Sequence, residues 1–120
     1  MENTPVIDLG EALKRAMGDV DFLKMMLNEF HNTIPDFISR LENACRECDM
    51  PSIGKDAHQL KGAAANLGAK TLAGAALKLE QIGKSENPDG CGQALEDLKR
   101  AAEIFSRQFA GIDWAEVRSE

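Results

Sequence analysis

The residues best suited to do chemistry lie in one short stretch, residues 57–68, with the sequence AHQLKGAAANLG. His58 is followed at i+3 by Lys61 and at i+4 by Gly62. An exposed imidazole is largely neutral near pH 7, so one ring nitrogen is free to act as a nucleophile. A neighbouring ammonium group favours the neutral ring and can bind an incoming phosphoryl oxygen. Histidine, lysine and uncovered backbone at this spacing indicate that the stretch accepts a phosphoryl group.

The side chains of this stretch are expected to lie on an amphipathic helix whose buried face is marked by Ile53 and Leu60. At 3.6 residues per turn, His58 lies about 140° and Gly62 about 180° from Ile53, which places both on the exposed side. A glycine inside a helix costs about 1 kcal/mol relative to alanine, so beside an exposed histidine it indicates space for another molecule. The alternative interpretation is a solvated histidine and a glycine that permits close helix packing; the combination of residues argues against it.

The rest of the chain supplies helices that could hold this one in place. Apolar residues recur every three or four positions almost throughout, and alanine plus leucine number 28 against 10 for valine plus isoleucine. We therefore predict an all-α protein, an antiparallel up-down-up-down four-helix bundle with a short additional N-terminal helix. The predicted boundaries fall at residues 18–19, 49–52, 68–69, 83–90 and 111. Pro35 lies within the first long helix and predicts a kink or break there, with Thr33 capping the second part.

The length and net charge of the chain limit the classes of protein to which it can belong. Its 120 residues form one predicted domain, with a core at about residues 6–110 and a tail at 111–120. Lysine and arginine number 14 against 20 acidic residues, a net charge of −6 that argues against nucleic-acid binding. No apolar run approaches the roughly 18–20 residues of a membrane span, and the N-terminus lacks the features of a signal peptide. We expect a cytoplasmic monomer that binds neither nucleic acid nor membranes.

The chain also contains three cysteines, which could bind a metal or take part in redox chemistry. Cys45 and Cys48 form a C-x-x-C pattern, and Cys91 begins the last helix. An odd number of cysteines in a cytoplasmic protein predicts free thiols. Because all three follow the apolar stripes, we interpret them as small buried side chains and expect no metal. A metal- or redox-sensing site that also used His31 remains a third hypothesis for the function.

The stretch around His58 has a specific counterpart in a known family. The pattern H-x-L-K-G at residues 58–62, followed by NLGA at residues 66–69 and by Leu72, closely resembles the histidine-containing phosphotransfer (HPt) domains of bacterial phosphorelays. The resemblance covers residues 6–108. That family's fold is a four-helix bundle with an exposed histidine partway along one helix, which agrees with the fold predicted above from periodicity.

The resemblance implies roles for individual residues. His58 would carry the phosphoryl group on Nε2, Lys61 would help to neutralise it, and Gly62 would let a partner approach. Glu80 follows His58 by 22 residues and matches the position whose side chain hydrogen-bonds the imidazole in family members. A carboxylate that accepts from Nδ1–H would leave Nε2 free to attack. The alternative for Glu80 is a solvated carboxylate paired with Lys84 at i+4.

The resemblance also implies partners, which are receiver domains of response regulators, a hybrid sensor histidine kinase, or both. They would dock around His58, Gln59, Gly62 and Ala65, with Lys84 at the edge. The receiver would bring the aspartyl phosphate and Mg²⁺, so we expect no cofactor and no autonomous catalysis, consistent with a sequence that lacks a P-loop and kinase motifs. The competing hypothesis is a helical adaptor that docks receiver domains without being phosphorylated.

Overall fold

The computed structural model describes residues 7–117, and within them the secondary structure is helical. Residues 1–6 and 118–120 lie outside the described residues, and with them the N-terminal segment, the predicted start of the core at residue 6 and the end of the predicted tail. One isolated bridge between Ile7 and Ala69 is the β-type pairing in the described part. The prediction of an all-α protein with a short leading helix is confirmed. The helices are α1 (Leu9–Arg15), α2 (Val20–Arg46), α3 (Met50–Asn66), α4 (Lys70–Ser85) and α5 (Cys91–Ala110).

Aspartate side chains start the first three helices. Asp8, Asp19 and Asp49 precede α1, α2 and α3, and each carboxylate accepts the backbone N–H three residues further on, at 3.0–3.3 Å. Such a cap satisfies one of the N–H groups that the first turn leaves without a partner. The predicted starts at Asp19 and Asp49 are confirmed.

The four long helices surround one apolar core. Around the bundle, α2 packs against α3 and α5, and α4 packs against the same two helices. Ion pairs such as Arg40–Asp56 between α2 and α3, and Glu42–Lys99 between α2 and α5, follow an antiparallel register. The up-down-up-down arrangement is confirmed. The largest fully buried apolar side chains are Leu23, Leu27, Leu41, Ile53, Leu60, Leu72, Leu79, Leu98 and Phe105.

α2 runs without a break through Pro35, so the predicted break is wrong, whereas the kink stays a prediction. Thr33 does not cap a second helix; its hydroxyl donates to the Phe30 carbonyl, 2.8 Å away, within the same helix. Proline removes one helical hydrogen bond and costs about 3 kcal/mol inside a helix. Ile34 and Leu41 are buried on either side of it, and burying each such side chain stabilises by roughly 1.5–3 kcal/mol. Tertiary packing therefore outweighs the local preference.

The prediction of three free thiols is wrong for two of them. Cys45, in the last turn of α2, and Cys91, the first residue of α5, form a disulfide with their Cα atoms 6.3 Å apart. The antiparallel register brings these two helix ends together although 46 positions separate them along the chain. Cys48 is free and exposed, and it lies beyond the end of α2 with φ +52° instead of on its buried stripe.

The turn between α3 and α4 is held against α1. Gly68 adopts φ +76°, as expected for a residue that ends a helix, and its carbonyl accepts the Asp8 N–H at 2.6 Å. A Cβ at Gly68 would lie 2.5 Å from the Asp8 carbonyl oxygen. Arg15 at the end of α1 donates to the Ala65 carbonyl at 2.9 Å. The helix that carries His58 is thereby fixed at its C-terminal end.

Candidate functional site

His58 lies in the middle of α3 on its outer face. Its side chain is 65% exposed, while Ile53 and Leu60 of the same helix are fully buried on the opposite face. Gly62 and Ala65 are exposed as well, and a Cβ built at Gly62 would meet no atom within 4 Å. The predicted orientation of the histidine is confirmed, and the surface beyond it is low enough for another molecule to approach.

Glu80 of α4 lies directly beneath the imidazole. Its side chain is only 2% exposed, so the alternative interpretation of a solvated carboxylate is wrong. Nδ1 of His58 lies 2.8 Å from Glu80 Oε2. An ionised carboxylate can only accept, so Nδ1 carries the proton and donates it to this bond. Among the described residues no group bonds Nε2, which is left as the nitrogen with the free lone pair.

Two lysines approach the same carboxylate from either side. Lys61 Nζ lies 2.6 Å from Oε1, and Lys84 Nζ lies 3.1 Å from Oε2. The Lys61 contact is an ion pair with the oxygen that His58 does not bond. Lys61 is 30% and Lys84 72% exposed, so both ammonium groups are near the surface. Three cationic or N–H donors thus converge on one buried carboxylate.

These contacts keep Glu80 ionised. Pairing with Lys61, then with Lys84 and His58, lowers the pKa of Glu80 from its ordinary value of 4.5 to about 2, although burial acts in the opposite direction. A buried carboxylate is costly unless it is paired, and here both oxygens are. The fixed negative charge holds the imidazole in the Nδ1–H tautomer and is ready to stabilise positive charge on the ring.

A groove with a volume of about 480 Å³ borders the imidazole, between the N-terminal half of α3 and the C-terminal half of α4. Gln59, which the sequence placed in the binding surface, is one of its lining residues. Gly54 and Gly83 form part of its wall, and sequence reasoning missed both. Gly83 was predicted as the end of the fourth helix, but α4 continues to Ser85. A glycine one turn before His58 and another three residues after Glu80 were the available signal. The groove is lined by Met50, Pro51, Gly54, Lys55, His58, Gln59, Glu80, Gly83 and Lys84.

The other residues considered for chemistry lie elsewhere. His31 faces α5, where its Nε2 is 2.8 Å from the Ser106 hydroxyl and its ring packs against Phe105 and Phe109. Within residues 7–117, no group of three or more His, Cys, Asp or Glu side chains is arranged to hold a metal ion. In the same range, no helix is both long and apolar enough to cross a membrane.

Comparison with known proteins agrees with this geometry. The family model described as Hpt domain matches residues 25–108, more than two thirds of the chain. The crystal structure of histidine-containing phosphotransfer protein B (HptB) from Pseudomonas aeruginosa PAO1 superimposes with a TM-score of 0.82 at 23% identity, covering 97% of this chain and 100% of that one. The Hpt domain of a sensor hybrid histidine kinase from Shewanella gives a TM-score of 0.71 at 15% identity, with 90% and 97% covered. No curated protein sequence matches the chain significantly.

Hpt domains are phosphotransfer carriers, and they work with receiver domains and hybrid histidine kinases. The two solved structures share the fold of this chain over nearly its whole length. The family model covers α3 and α4 completely, and with them the exposed histidine and the buried carboxylate. The chain therefore belongs to the Hpt domain family, the phosphotransfer domains of phosphorelays.

Proposed function

We propose that His58 is the residue that carries the phosphoryl group. Its Nε2 accepts the group from the aspartyl phosphate of a receiver domain, or from a kinase, and passes it to another receiver domain. The observation that carries this proposal is the 2.8 Å bond from the exposed imidazole to the buried Glu80 carboxylate. It leaves Nε2 facing outward with its lone pair free.

The chemical step needs no proton transfer at the histidine. The Nε2 lone pair forms a bond to phosphorus as the bond from phosphorus to the aspartyl oxygen breaks, and the aspartate carboxylate leaves with that electron pair. Nδ1 keeps its proton, so the ring becomes positively charged, and Glu80 is already in place to pair with it. In the onward transfer an aspartate oxygen attacks phosphorus, and the imidazole leaves as the neutral ring.

The neighbouring residues support this step from the surface. Lys61 and Lys84 hold ammonium groups close to the imidazole, where phosphoryl oxygens would compete with Glu80 for them. Gly62 and Ala65 present little side chain to an approaching partner. Gln59 borders the same face and belongs to the proposed docking surface.

We also propose that the chain is a phosphocarrier without catalytic activity or a cofactor of its own, and that Mg²⁺ comes with the receiver domain. The apolar stripes of all four long helices are used within one core, which supports a monomer. Light scattering of the purified protein tests the monomer, because a dimer would double the measured mass.

A cytoplasmic location follows from the proposed partners, whereas the Cys45–Cys91 disulfide is more usual in oxidising compartments; cell fractionation decides between them.

Phosphotransfer from a labelled receiver domain tests the proposal directly. The wild type should become labelled, and the adduct should be acid-labile and base-stable, as expected for a phosphohistidine. His58→Gln should remain unlabelled. His31→Gln is the matched control, because it removes the other histidine of the chain and should label like the wild type. Labelling of His58→Gln at the wild-type rate would refute the assignment, and receiver binding without labelling of a folded wild type would favour the docking adaptor.

A further inference from the structure

The backbones of α3 and α4 come into direct contact at Gly54 and Gly83. Gly83 is buried, and a Cβ built on it would lie 2.5 Å from the Gly54 nitrogen and 2.7 Å from the Gly54 Cα. The same Cβ would lie 2.9 Å from the Met50 carbonyl oxygen. All three contacts are with backbone atoms, so no side-chain rotation could relieve them. Only a glycine at position 83 allows the helices to approach this closely.

This contact lies next to the His58–Glu80 pair. The helices run antiparallel, so His58 is one turn after Gly54 on α3, and Glu80 is three residues before Gly83 on α4. At a rise of 1.5 Å per residue, these positions are only about 4.5–6 Å along each helix from the glycine contact. The imidazole is short and Glu80 is buried, so their hydrogen bond depends on the separation of the two helices at this level.

We propose that Gly83 is a positioning residue for phosphotransfer: by letting α4 touch the α3 backbone at Gly54, it brings Glu80 within hydrogen-bond distance of His58. The proposal rests on the proposed function of His58, but the position of Glu80 can be measured independently of any transfer. Gly83 acts through Glu80 and is not itself expected to touch the phosphoryl group.

The expected effect of Gly83→Ala follows from the distances. For the new Cβ to reach 3.4 Å from the Gly54 nitrogen, beyond which contacts are ordinary, α4 must move away by about 0.9 Å. The same movement at Glu80 would lengthen its 2.8 Å bond to Nδ1 beyond hydrogen-bond range. A displacement of about 1 Å in a reacting arrangement can reduce a rate by about 100-fold. We expect transfer to Gly83→Ala to be at least about tenfold slower than transfer to the wild type.

The chain offers a matched control at the same contact. A Cβ at Gly54 would lie 3.9 Å from the nearest Gly83 atoms, which is an ordinary van der Waals distance. Gly54→Ala therefore adds the same methyl group one turn from His58 without separating the helices. It should keep the Nδ1–H tautomer of His58, and Gly74→Ala, at a helical glycine outside the groove, is the control for the transfer rate.

The decisive measurement is the tautomer of His58, read from the ¹⁵N resonances of its two ring nitrogens, together with the transfer rate. The wild type and Gly54→Ala should show the Nδ1–H tautomer, whereas Gly83→Ala should show a mixture of tautomers. A folded Gly83→Ala with the wild-type tautomer and rate would overturn the proposal, as would a Gly54→Ala variant that loses the Nδ1–H tautomer. If the wild type itself is not labelled, the proposed function fails, yet the tautomer comparison still decides the role of Gly83.

Folding is controlled separately. Gly74 and Gly92 are helical glycines at which a Cβ meets nothing within 4 Å, so Gly74→Ala and Gly92→Ala should stabilise their helices without touching the site. Gly83→Ala is measured in this doubly substituted background, with circular dichroism as the check on folding. If it is unfolded even there, Gly83 serves the fold as a whole, and the positioning role is rejected.

Discussion

Replacing Glu80 with glutamine removes one negative charge from the site with almost no change in shape. The carboxylate now offers two oxygens to three donors: His58 Nδ1 at 2.8 Å, Lys61 Nζ at 2.6 Å and Lys84 Nζ at 3.1 Å. The amide offers one oxygen, and its NH₂ group is itself a donor. If the oxygen stays on His58, the NH₂ faces Lys61, so at least one of the three contacts is lost and none retains a charged acceptor.

The size of the effect follows from which states the charge stabilises. Hydrogen bonds to an ionised group change rate or equilibrium constants by about ten- to a hundredfold. In the proposed transfer the imidazole gains positive charge as Nε2 bonds to phosphorus, so Glu80 would stabilise the transition state and the phosphohistidine more strongly than the resting ring, to which it already bonds. We therefore expect Glu80→Gln to slow transfer onto His58 by about 10- to 100-fold. Onward transfer should change less, because the lost charge stabilised the phosphohistidine at least as much as the transition state.

Rapid-quench measurements of both directions with one receiver domain test this asymmetry. Glu86→Gln is the matched control, since it removes an exposed carboxylate just after α4 and should leave both rates unchanged. A Glu80→Gln variant that is folded and accepts the phosphoryl group as fast as the wild type would refute the reasoning. Equal slowing of both directions would show that the carboxylate positions the ring without stabilising its charge.

Three further predictions concern acid, redox state and backbone conformation. Pairing lowers the pKa of Glu80 to about 2 from 4.5 in the unfolded chain, so the stabilisation by its charge is complete above pH 4.5 and is lost as the pH falls through 2. The urea midpoints of the wild type and Glu80→Gln should therefore converge in acid, and a constant difference would contradict this. Thiol titration of denatured protein should find one free thiol before reduction and three after it, and three thiols before reduction would contradict the disulfide. Reduction of the Cys45–Cys91 disulfide should lower the free energy of unfolding by up to about 4 kcal/mol. Gly68→Ala should lower the free energy of unfolding in urea by about 2 kcal/mol or more, because φ +76° is unfavourable for alanine and its Cβ would clash with the Asp8 carbonyl oxygen. Gly92→Ala should not lower it.

Much of the fold could be predicted because its determinants are local or periodic. The spacing of apolar residues located the four long helices, and the capping aspartates marked where two of them start. The break predicted at Pro35 was wrong because the local rule for proline contains no information about the packing of Ile34 and Leu41 on either side. The disulfide was missed for a related reason, since a pairing across 46 positions depends on the register of two antiparallel helices.

The candidate site also contains features that the sequence could predict and features that it could not. The outward direction of His58 followed from its angle on one helix, so the sequence was sufficient. The burial of Glu80 depends on how closely α3 approaches α4. A helical wheel of α4 alone places Glu80 only at the edge of the buried face. The glycines that permit the approach look like ordinary helix-weakening residues until the two backbones are seen in contact.

Glu80 and the three side chains around it, His58, Lys61 and Lys84, also determine how the charge of the surface would change when His58 is phosphorylated. With a neutral imidazole, two ammonium groups against one carboxylate give the cluster a net charge of +1 on a chain whose total is −6. A transferred phosphoryl group would bring a charge of about −2 and the ring would become +1, so the loaded cluster would be close to neutral. The cluster would therefore attract an anionic surface on a partner most strongly before transfer and less strongly after it. Added salt should accordingly slow the encounter of the empty carrier more than that of the loaded one, and we expect the loss of attraction on transfer to help the two proteins to separate.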